Sequence, residues 1–150
     1  MDTERSYAER IKDDYGKDIS RLAEYIPYFT NLKLSDAEQE YDGKFGRSSL
    51  SFNVYDPELL RFMGEAAESC LMDSNYLYAY RRAGITTPEQ EMNAVKNAEI
   101  KDIDTLKGIL SRYVLEGRYR SGRWGEAVER GVFLNVLIRL KELLDFSTVR

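Results

Sequence analysis

The sequence predicts a mainly α fold, a compact single-domain helical bundle of about six helices with one short strand or hairpin near residues 40–55. Three observations support this prediction. Apolar residues recur at three- and four-residue spacing through most of the chain, as they do on the buried face of a helix. Alternation of apolar and polar residues, which is typical of a strand, is confined to one stretch. The length of 150 residues suits one domain, so we assign residues 1–150 to a single unit.

The first predicted helix carries a stripe of aromatic and aliphatic residues and ends at Pro27, because proline lacks the N–H that a helix interior uses. The stripe consists of Tyr7, Ile11, Tyr15, Ile19, Leu22 and Ile26. Farther along, residues 49–55 alternate between apolar and polar and predict a half-buried strand. An Asp42-Gly43 pair predicts a turn before it. We therefore expect at most a small hairpin, in which this strand pairs with the residues just before the turn.

Capping residues predict the next group of helices. Asp56 and Pro57 indicate a helix start, since aspartate is a favoured N-cap and proline fits the first helical position. The apolar face of this helix is expected to contain Leu59, Leu60, Met63, Ala66, Ala67, Cys70 and Leu71. A shorter helix is expected from about Tyr76 to Gly84. Residues 87–90, TPEQ, combine a capping box with a first-turn proline and begin a mostly polar helix.

The last third of the chain predicts three more helices. Asp102 caps the first of them, and Gly117 ends it. A short helix follows over residues 123–130, and Gly131 separates it from a long apolar helix. The core face of that last helix is expected to contain Val132, Phe133, Val136, Leu137, Leu140, Leu143 and Leu144. We expect residues 145–150 to fray, as chain ends commonly do.

Composition narrows the classes of function. The chain has no histidine and one cysteine, so a Ser-His-Asp triad, a Cys-His nucleophile and the usual zinc sites are excluded. We therefore expect no catalytic residue, no metal and no cofactor and predict that the protein is not an enzyme, since any catalysis would have to rest on carboxylates, lysine or tyrosine. The net charge of −4 disfavours nucleic acid as a partner, although residues 101–150 carry 10 basic and 7 acidic residues.

Three features of the sequence bear on localisation. The N-terminus is charged and lacks the apolar run of a signal peptide. No apolar stretch approaches the roughly 18 residues of a membrane span, so we expect no membrane association. The single cysteine, Cys70, permits no intrachain disulfide, which suits a reducing compartment. We therefore predict a cytoplasmic protein.

The segment EGRYRSGRWG, residues 116–125, contains the densest group of side chains able to bind a ligand. Arginines can bind an anion in a bidentate manner, and the tryptophan, the only one in the chain, can stack on a ring. Gly117 and Gly122 allow a tight turn, and Ser121 is the predicted N-cap of the next helix, where free N–H groups favour an anion. We predict a ligand- or partner-binding surface made of Tyr119, Arg120, Arg123 and Trp124.

The same residues allow a structural interpretation. Trp124 could instead pack under the last helix and fix the turn, because large aromatic side chains supply much of the burial in a small core. The arginines could pair with Glu116, Glu126 and Glu129 in solvated contacts of about 0–1 kcal/mol each. The sequence leaves both interpretations open.

Three stretches resemble an uncharacterised bacterial family that is known only as a domain of unknown function. They are AEYIPYF at 23–29, NVYDPELLRF at 53–62 and, most specifically, YVLEGRYRSGRWGEAVERGVFLNVLIRLKEL at 113–143. The positions that match the family pattern in the third stretch are Gly117, Tyr119, Gly122, Trp124, Ala127, Glu129, Gly131, Phe133, Leu134, Leu137, Arg139 and Leu140. The resemblance covers about residues 20–145 and implies a mainly α single domain, without a known activity or ligand. The occurrence of such proteins in bacteria, phages and mobile elements implies an accessory role there.

The leading functional hypothesis is a non-catalytic binding or interaction protein. It is a phage or mobile-element accessory factor that binds a host protein or a small anionic, nucleotide-like ligand. The 11 tyrosines favour a partner-binding face, which is compatible with a homodimer. A nucleic-acid-binding regulator that uses the Arg/Trp turn is the second hypothesis. The third is a histidine-free enzyme that uses Glu126, Glu129 or a tyrosine as acid–base groups.

Overall fold

Helices account for most of the chain in the computed structural model, which describes residues 6–32, 38–41, 52–120 and 122–149. The predicted mainly α class is confirmed. The elements are α1 (Tyr7–Arg10), a π-helical turn (Ile11–Tyr15), α2 (Gly16–Ala23), α3 (Ile26–Asn31), β1 (Glu38–Tyr41), β2 (Phe52–Tyr55), α4 (Pro57–Glu68), α5 (Tyr76–Ala83), α6 (Pro88–Asn97), a 3₁₀ turn (Ile100–Asp102), α7 (Ile103–Glu116), α8 (Arg123–Arg130) and α9 (Val132–Thr148). The described residues therefore contain more helical segments than the predicted six.

The N-terminal helix breaks earlier than predicted. The break falls at Glu24 and Tyr25, which form a turn between α2 and α3. Pro27 begins a helix here and does not end one, because it lies in the first turn of α3, where no intrahelical partner exists for an N–H. The stripe itself is largely buried, although its first residue, Tyr7, is exposed.

Two short strands lie at the two ends of the region in which a strand or hairpin was expected. β1 and β2 pair antiparallel, with Glu38 opposite Tyr55 and Tyr41 opposite Phe52. The Asp42-Gly43 turn that was predicted between them lies outside the described residues.

The apolar face of α4 differs from the predicted one by a small rotation. Leu60 and Cys70 are exposed, whereas Phe62, which the predicted face omitted, is fully buried. The buried positions Leu59, Phe62, Met63 and Ala66 follow the i, i+3, i+4, i+7 pattern. The Phe62 ring packs among three other rings, whose centroids lie 5.2, 4.9 and 5.4 Å away in Tyr25, Phe29 and Phe133. This aromatic cluster joins α3, α4 and α9.

The core is organised around α7 and α9. The long helix α9 contacts α2, α3, α6, α7 and α8, and its predicted core face is buried. The helix α7 packs closely on α5 at Gly108, where an added Cβ would lie 2.5 Å from the Cβ of Ala79. Glycine is therefore required at this crossing. The close contact fixes Tyr80 of α5 and Arg112 of α7 relative to each other.

The last turn of α9 includes residues for which fraying was predicted. α9 continues to Thr148, and Ser147 is buried, with its hydroxyl donating to the Leu143 carbonyl at 2.8 Å.

We predict that Leu137→Ala lowers the free energy of unfolding by about 2–5 kcal/mol, because Leu137 is 1% exposed and the substitution leaves a cavity. Equilibrium unfolding in urea measures the change. The adjacent Ile138, which is exposed, supplies the control, and Ile138→Ala should cost less than about 1 kcal/mol. Equal effects of the two substitutions would contradict the placement of α9.

Candidate functional site

The turn between α7 and α8 is shaped by glycine. Gly122 has φ 83° and directly precedes α8, and Gly131 has φ 72° between α8 and α9. This left-handed conformation is costly for residues with a Cβ. The backbone N–H of Gly122 donates to the Tyr55 hydroxyl at 3.3 Å, which connects the turn to the end of β2. The predicted N-cap, Ser121, lies outside the described residues.

Trp124 is part of the core. It is 9% exposed, and its indole N–H donates to the carbonyls of Tyr113 and Val114 at 2.9 and 3.2 Å. These carbonyls belong to the last turn of α7, and that of Tyr113 also accepts from the Gly117 N–H at 3.1 Å. Gly117 allows this approach, because a Cβ on it would lie 1.9 Å from the indole nitrogen. With φ −63°, Gly117 is therefore required by the contact with the indole rather than by a left-handed cap.

The four residues of the predicted site do not form one surface. Tyr119 is 87% exposed, and Arg120 is also exposed. Arg123 is 7% exposed, like the neighbouring Trp124, so both point into the protein. This result corrects the expectation that all four side chains lie together on one surface. The exposed and the buried pair differ because the chain reverses direction between Tyr119 and α8, and the first residues of α8 therefore face α7.

Arg123 is held by carboxylates and by an aromatic ring. Its guanidinium lies 3.1 Å from Glu116 and donates to Glu126 at 3.1 Å. It also lies over the Tyr113 ring, 4.3 Å from the centroid, in a cation–π contact. Arg120 contacts Glu116 at 3.5 Å. The structural interpretation, in which the arginines pair with nearby glutamates, therefore agrees with the contacts that Arg120 and Arg123 make with Glu116 and Glu126.

A polar cavity of about 120 Å³ lies between α5, α6, α7 and α8, and we call it the arginine cavity. Its walls include three arginines that converge from two helices. Its floor consists of two tyrosines and a glutamate. The six residues are Arg112, Arg123 and Arg130 in the walls, and Tyr80, Glu91 and Tyr113 in the floor.

The floor is a network of hydrogen bonds around a buried carboxylate. Glu91 is 3% exposed and accepts from Tyr80, from Tyr113 at 2.8 Å and from Arg130 at 2.7 Å. Arg130 also donates to the Tyr113 hydroxyl at 2.5 Å. Because a buried charge needs a partner and hydrogen bonds, the network makes the burial of Glu91 tolerable. The floor is therefore a structural element with fixed geometry.

The two floor tyrosines stay protonated over an extended pH range. Burial, together with the hydrogen bond to the Glu91 carboxylate, raises the pKa of Tyr113 to about 12. Burial and the same carboxylate also raise the pKa of Tyr80. Both hydroxyls consequently remain hydrogen-bond donors to Glu91 near neutral pH, and neither is suited to act as a base.

The walls retain unused hydrogen-bond donors. Arg112 lies over the Tyr80 ring at 4.6 Å, and its Nε is 3.6 Å from a Glu116 oxygen, an ion pair too long for a hydrogen bond, with no hydrogen-bond partner among the described residues. The Nε of Arg123 is likewise buried and without a partner in the described part of the chain. Buried donors without partners are rare in proteins and suggest a site for an acceptor.

Sequence reasoning identified one wall residue of the arginine cavity, Arg123, and missed the floor. Glu91 could have been recognised, because it lies four residues before Val95 and seven before Ala98, on the buried side of α6. A charged residue within such an apolar stripe indicates a buried ion pair. Its partner Arg130 carries no comparable signal, since it lies 39 residues away in sequence.

A larger cavity of about 620 Å³ lies along α5 and the start of α7, with Tyr7 and Tyr78 at its edge. Its lining includes three basic and three acidic residues, so it favours no sign of ligand charge. The charged residues are Arg82, Lys101, Lys107, Asp73, Asp102 and Asp104. For this reason the smaller arginine cavity is the better candidate. No group of three His, Cys, Asp or Glu among the described residues could hold a metal ion.

The fold and the site together define a mainly helical domain with an arginine-lined polar cavity. The chain belongs to a family of unknown function (DUF6508), whose model matches residues 15–145. The resemblance to an uncharacterised family is thereby confirmed. Comparison with curated proteins and with solved structures gave no match. In the described part of the chain, no helix has the length and apolar character needed to span a membrane.

Gly117→Ala should lower the free energy of unfolding by about 1–3 kcal/mol, because the new methyl group would displace the Trp124 indole. The matched control is Gly64→Ala in the exposed middle of α4, where a Cβ meets nothing within 4 Å. That substitution should instead stabilise the protein by about 0.5–1 kcal/mol through helix propensity. Chemical denaturation distinguishes the two signs, and two effects of the same sign would contradict the role of the indole contact.

Glu91→Gln should destabilise the protein by about 3 kcal/mol or more, because it removes the charge that compensates the partly buried Arg130. Glu89→Gln, on the exposed side of the same helix, should change stability by less than about 0.5 kcal/mol. Guanidinium denaturation followed by circular dichroism gives both values. A Glu91→Gln protein as stable as the control would show that the floor network contributes no net stability.

Proposed function

We propose that this chain is a non-catalytic binding protein that holds the anionic group of a ligand or partner in the arginine cavity. The observation that carries the proposal is the pair of buried guanidinium donors, Nε of Arg112 and Nε of Arg123, beside a cavity. A guanidinium has five donors and no acceptor, so an anion is the group that best satisfies it.

The balance of charge around the arginine cavity supports the proposal. Four arginines, at 112, 120, 123 and 130, contact three glutamates, at 91, 116 and 126. Each arginine contacts at least one carboxylate, and the net charge of this cluster is +1. Since low-dielectric surroundings strengthen electrostatic attraction, an anion that enters the cavity gains more than it would on an open surface.

The size of the cavity limits what can enter. Ligand pockets for drug-sized molecules commonly measure about 300–1,000 Å³. A volume of about 120 Å³ corresponds to the liquid volume of about four water molecules. The cavity therefore accepts one anionic group, and the remainder of a nucleotide-like ligand or of a protein partner would lie outside it.

The predicted site and the arginine cavity overlap in part. Arg123 lines the cavity, whereas Arg120 lies outside it and contacts Glu116, which also pairs with Arg123. Trp124 acts indirectly in this proposal, by fixing α8 against α7. Exposed Tyr119 remains a proposed contact for the part of the ligand outside the cavity. A role in phages or mobile elements, with a host protein as partner, is proposed from the family resemblance alone.

The nucleic-acid hypothesis has less support. Arginines that bind backbone phosphates lie on an open basic surface. In this cluster, by contrast, Arg112, Arg123 and Arg130 face glutamates and aromatic rings. Among the four arginines of this cluster only Arg120 has a mostly exposed side chain, so an extended polyanion would reach few of them, whereas a single small anion can enter the cavity.

Arg112→Gln should abolish stabilisation of the protein by phosphate, sulfate or acetate. In the wild type, an anion present at ten times its Kd should add about 1.4 kcal/mol of stability, which raises Tm by about 3–5 °C. Loss of Arg112 removes one wall of the cavity, whereas Glu116 keeps Arg120 and Arg123 as partners, so the fold should persist. Differential scanning fluorimetry at constant ionic strength, with chloride as the reference anion, measures the shift.

Arg139→Gln is the matched control for this measurement. Arg139 has similar exposure and also contacts a glutamate, Glu142, at 3.2 Å, but it lies on α9 away from the cavity. Its variant should keep the full anion-induced shift. Equal shifts in the two variants, or no shift in the wild type, would refute the proposed function.

A further inference from the structure

We infer that the anion bound in the arginine cavity is a doubly charged terminal phosphate group, and that it displaces the Glu126 side chain when it binds. This inference rests on the proposed function and specifies its ligand. It follows from the position of Glu126 at the edge of the cavity, between two arginines.

Glu126 occupies a place that a ligand anion would take. One carboxylate oxygen accepts from Arg123 at 3.1 Å, and the other lies 3.8 Å from Arg130. A carboxylate that joins these two wall arginines has the arrangement expected of a bound ligand. Glu126 therefore acts as an internal competitor for the site.

Glu126 is also the carboxylate of the cluster that can leave most easily. Its side chain is 46% exposed, compared with 16% for Glu116 and 3% for Glu91. An exposed side chain can rotate into water and keep its charge solvated, whereas a buried carboxylate would have to break several hydrogen bonds. Displacement of Glu126 leaves the floor and Glu116 in place.

The charge balance after displacement selects the ligand. Once Glu126 has turned into solvent, four arginines face only Glu91 and Glu116, so the net charge of the cluster rises to +2. A carboxylate ligand would merely replace one negative charge with another. A phosphate monoester carries close to two negative charges at neutral pH, and it therefore neutralises the cluster. The exchange favours phosphate over carboxylate.

The shape of the site agrees with this choice. Planar guanidinium groups bind phosphate oxygens in a bidentate manner, and wall arginines on two helices can approach different oxygens. A group of this size fits the cavity, and the molecule that bears it remains outside. The phosphate could belong to a small metabolite such as a nucleoside monophosphate or to a phosphorylated side chain of a protein, and the shared feature is the terminal phosphate dianion.

The test compares Glu126→Gln with the wild-type chain by isothermal titration calorimetry, with inorganic phosphate, sulfate and acetate as ligands. Removal of the competitor should tighten phosphate binding by about 2- to 5-fold, because a partly exposed ion pair contributes a factor of this order. Phosphate and sulfate, both dianions, should bind at least about 10-fold more tightly than acetate. Circular dichroism verifies that the variant is folded.

Glu142→Gln is the matched control. Glu142 pairs with Arg139 at i, i+3 and 3.2 Å, much as Glu126 pairs with Arg123 at i, i+3 and 3.1 Å, but it lies outside the cavity. The control should bind phosphate like the wild type. Equal phosphate affinity in the wild type and Glu126→Gln, or acetate binding as tight as phosphate binding, would overturn this inference and leave the proposed anion site standing. An absence of anion binding in both the wild type and Glu126→Gln would overturn the proposed function as well.

A second arm distinguishes the sources of the phosphate group. Adenosine monophosphate and a short phosphoserine peptide are titrated into Glu126→Gln. Tighter binding of either one than of inorganic phosphate supports a terminal phosphate and identifies the class of molecule that carries it. If neither adenosine monophosphate nor the peptide binds while inorganic phosphate does, the assignment of the anion to a terminal phosphate group is overturned.

Discussion

The hydrogen bonds of the Trp124 indole to the end of α7 determine the geometry on which the site depends. The indole N–H donates to the carbonyls of Tyr113 and Val114 in the last turn of α7, and these bonds fix α8 against α7. Because α8 is held in this orientation, Arg123 lies beside Glu116 and Arg130 reaches Glu91. The tryptophan thus determines which residues meet, without itself facing the cavity.

The buried network around Glu91 has a different role. Desolvation of charged groups is costly, so a network of this kind contributes less net stability than its number of hydrogen bonds suggests. Its hydrogen bonds are directional, however, and an alternative packing of α5, α6 and α8 would leave a buried carboxylate without partners. We conclude that the Glu91 network selects one arrangement of these helices. The aromatic cluster around Phe62 contributes apolar burial instead.

Much of the fold could be predicted from the sequence, because local signals mark helix starts. Asp56-Pro57 and Thr87-Pro88 each begin a helix as expected. The buried face of α4 was harder to predict, since Leu60 and Phe62 are both apolar and only tertiary contacts decide which of them is buried. The cavity was not predictable for a similar reason: Tyr80, Glu91 and Arg130 lie far apart in the sequence, and their convergence depends on helix packing. The sequence of the turn predicted a role for Arg123, but it did not predict which residues line the cavity with Arg123.

The close packing of α5 on α7 at Gly108 has a consequence for the speed of binding. These two helices cannot shift against each other without a clash, so Tyr80 and Arg112 are already in place before a proposed ligand arrives. The movement that remains is rotation of one exposed side chain, Glu126, and such rotations take picoseconds to nanoseconds. Entry is therefore not delayed by a slow opening step. If the proposed site binds an anion, diffusion and the net positive charge of the arginine cluster set the association rate, and affinity differences between ligands lie mainly in their residence times.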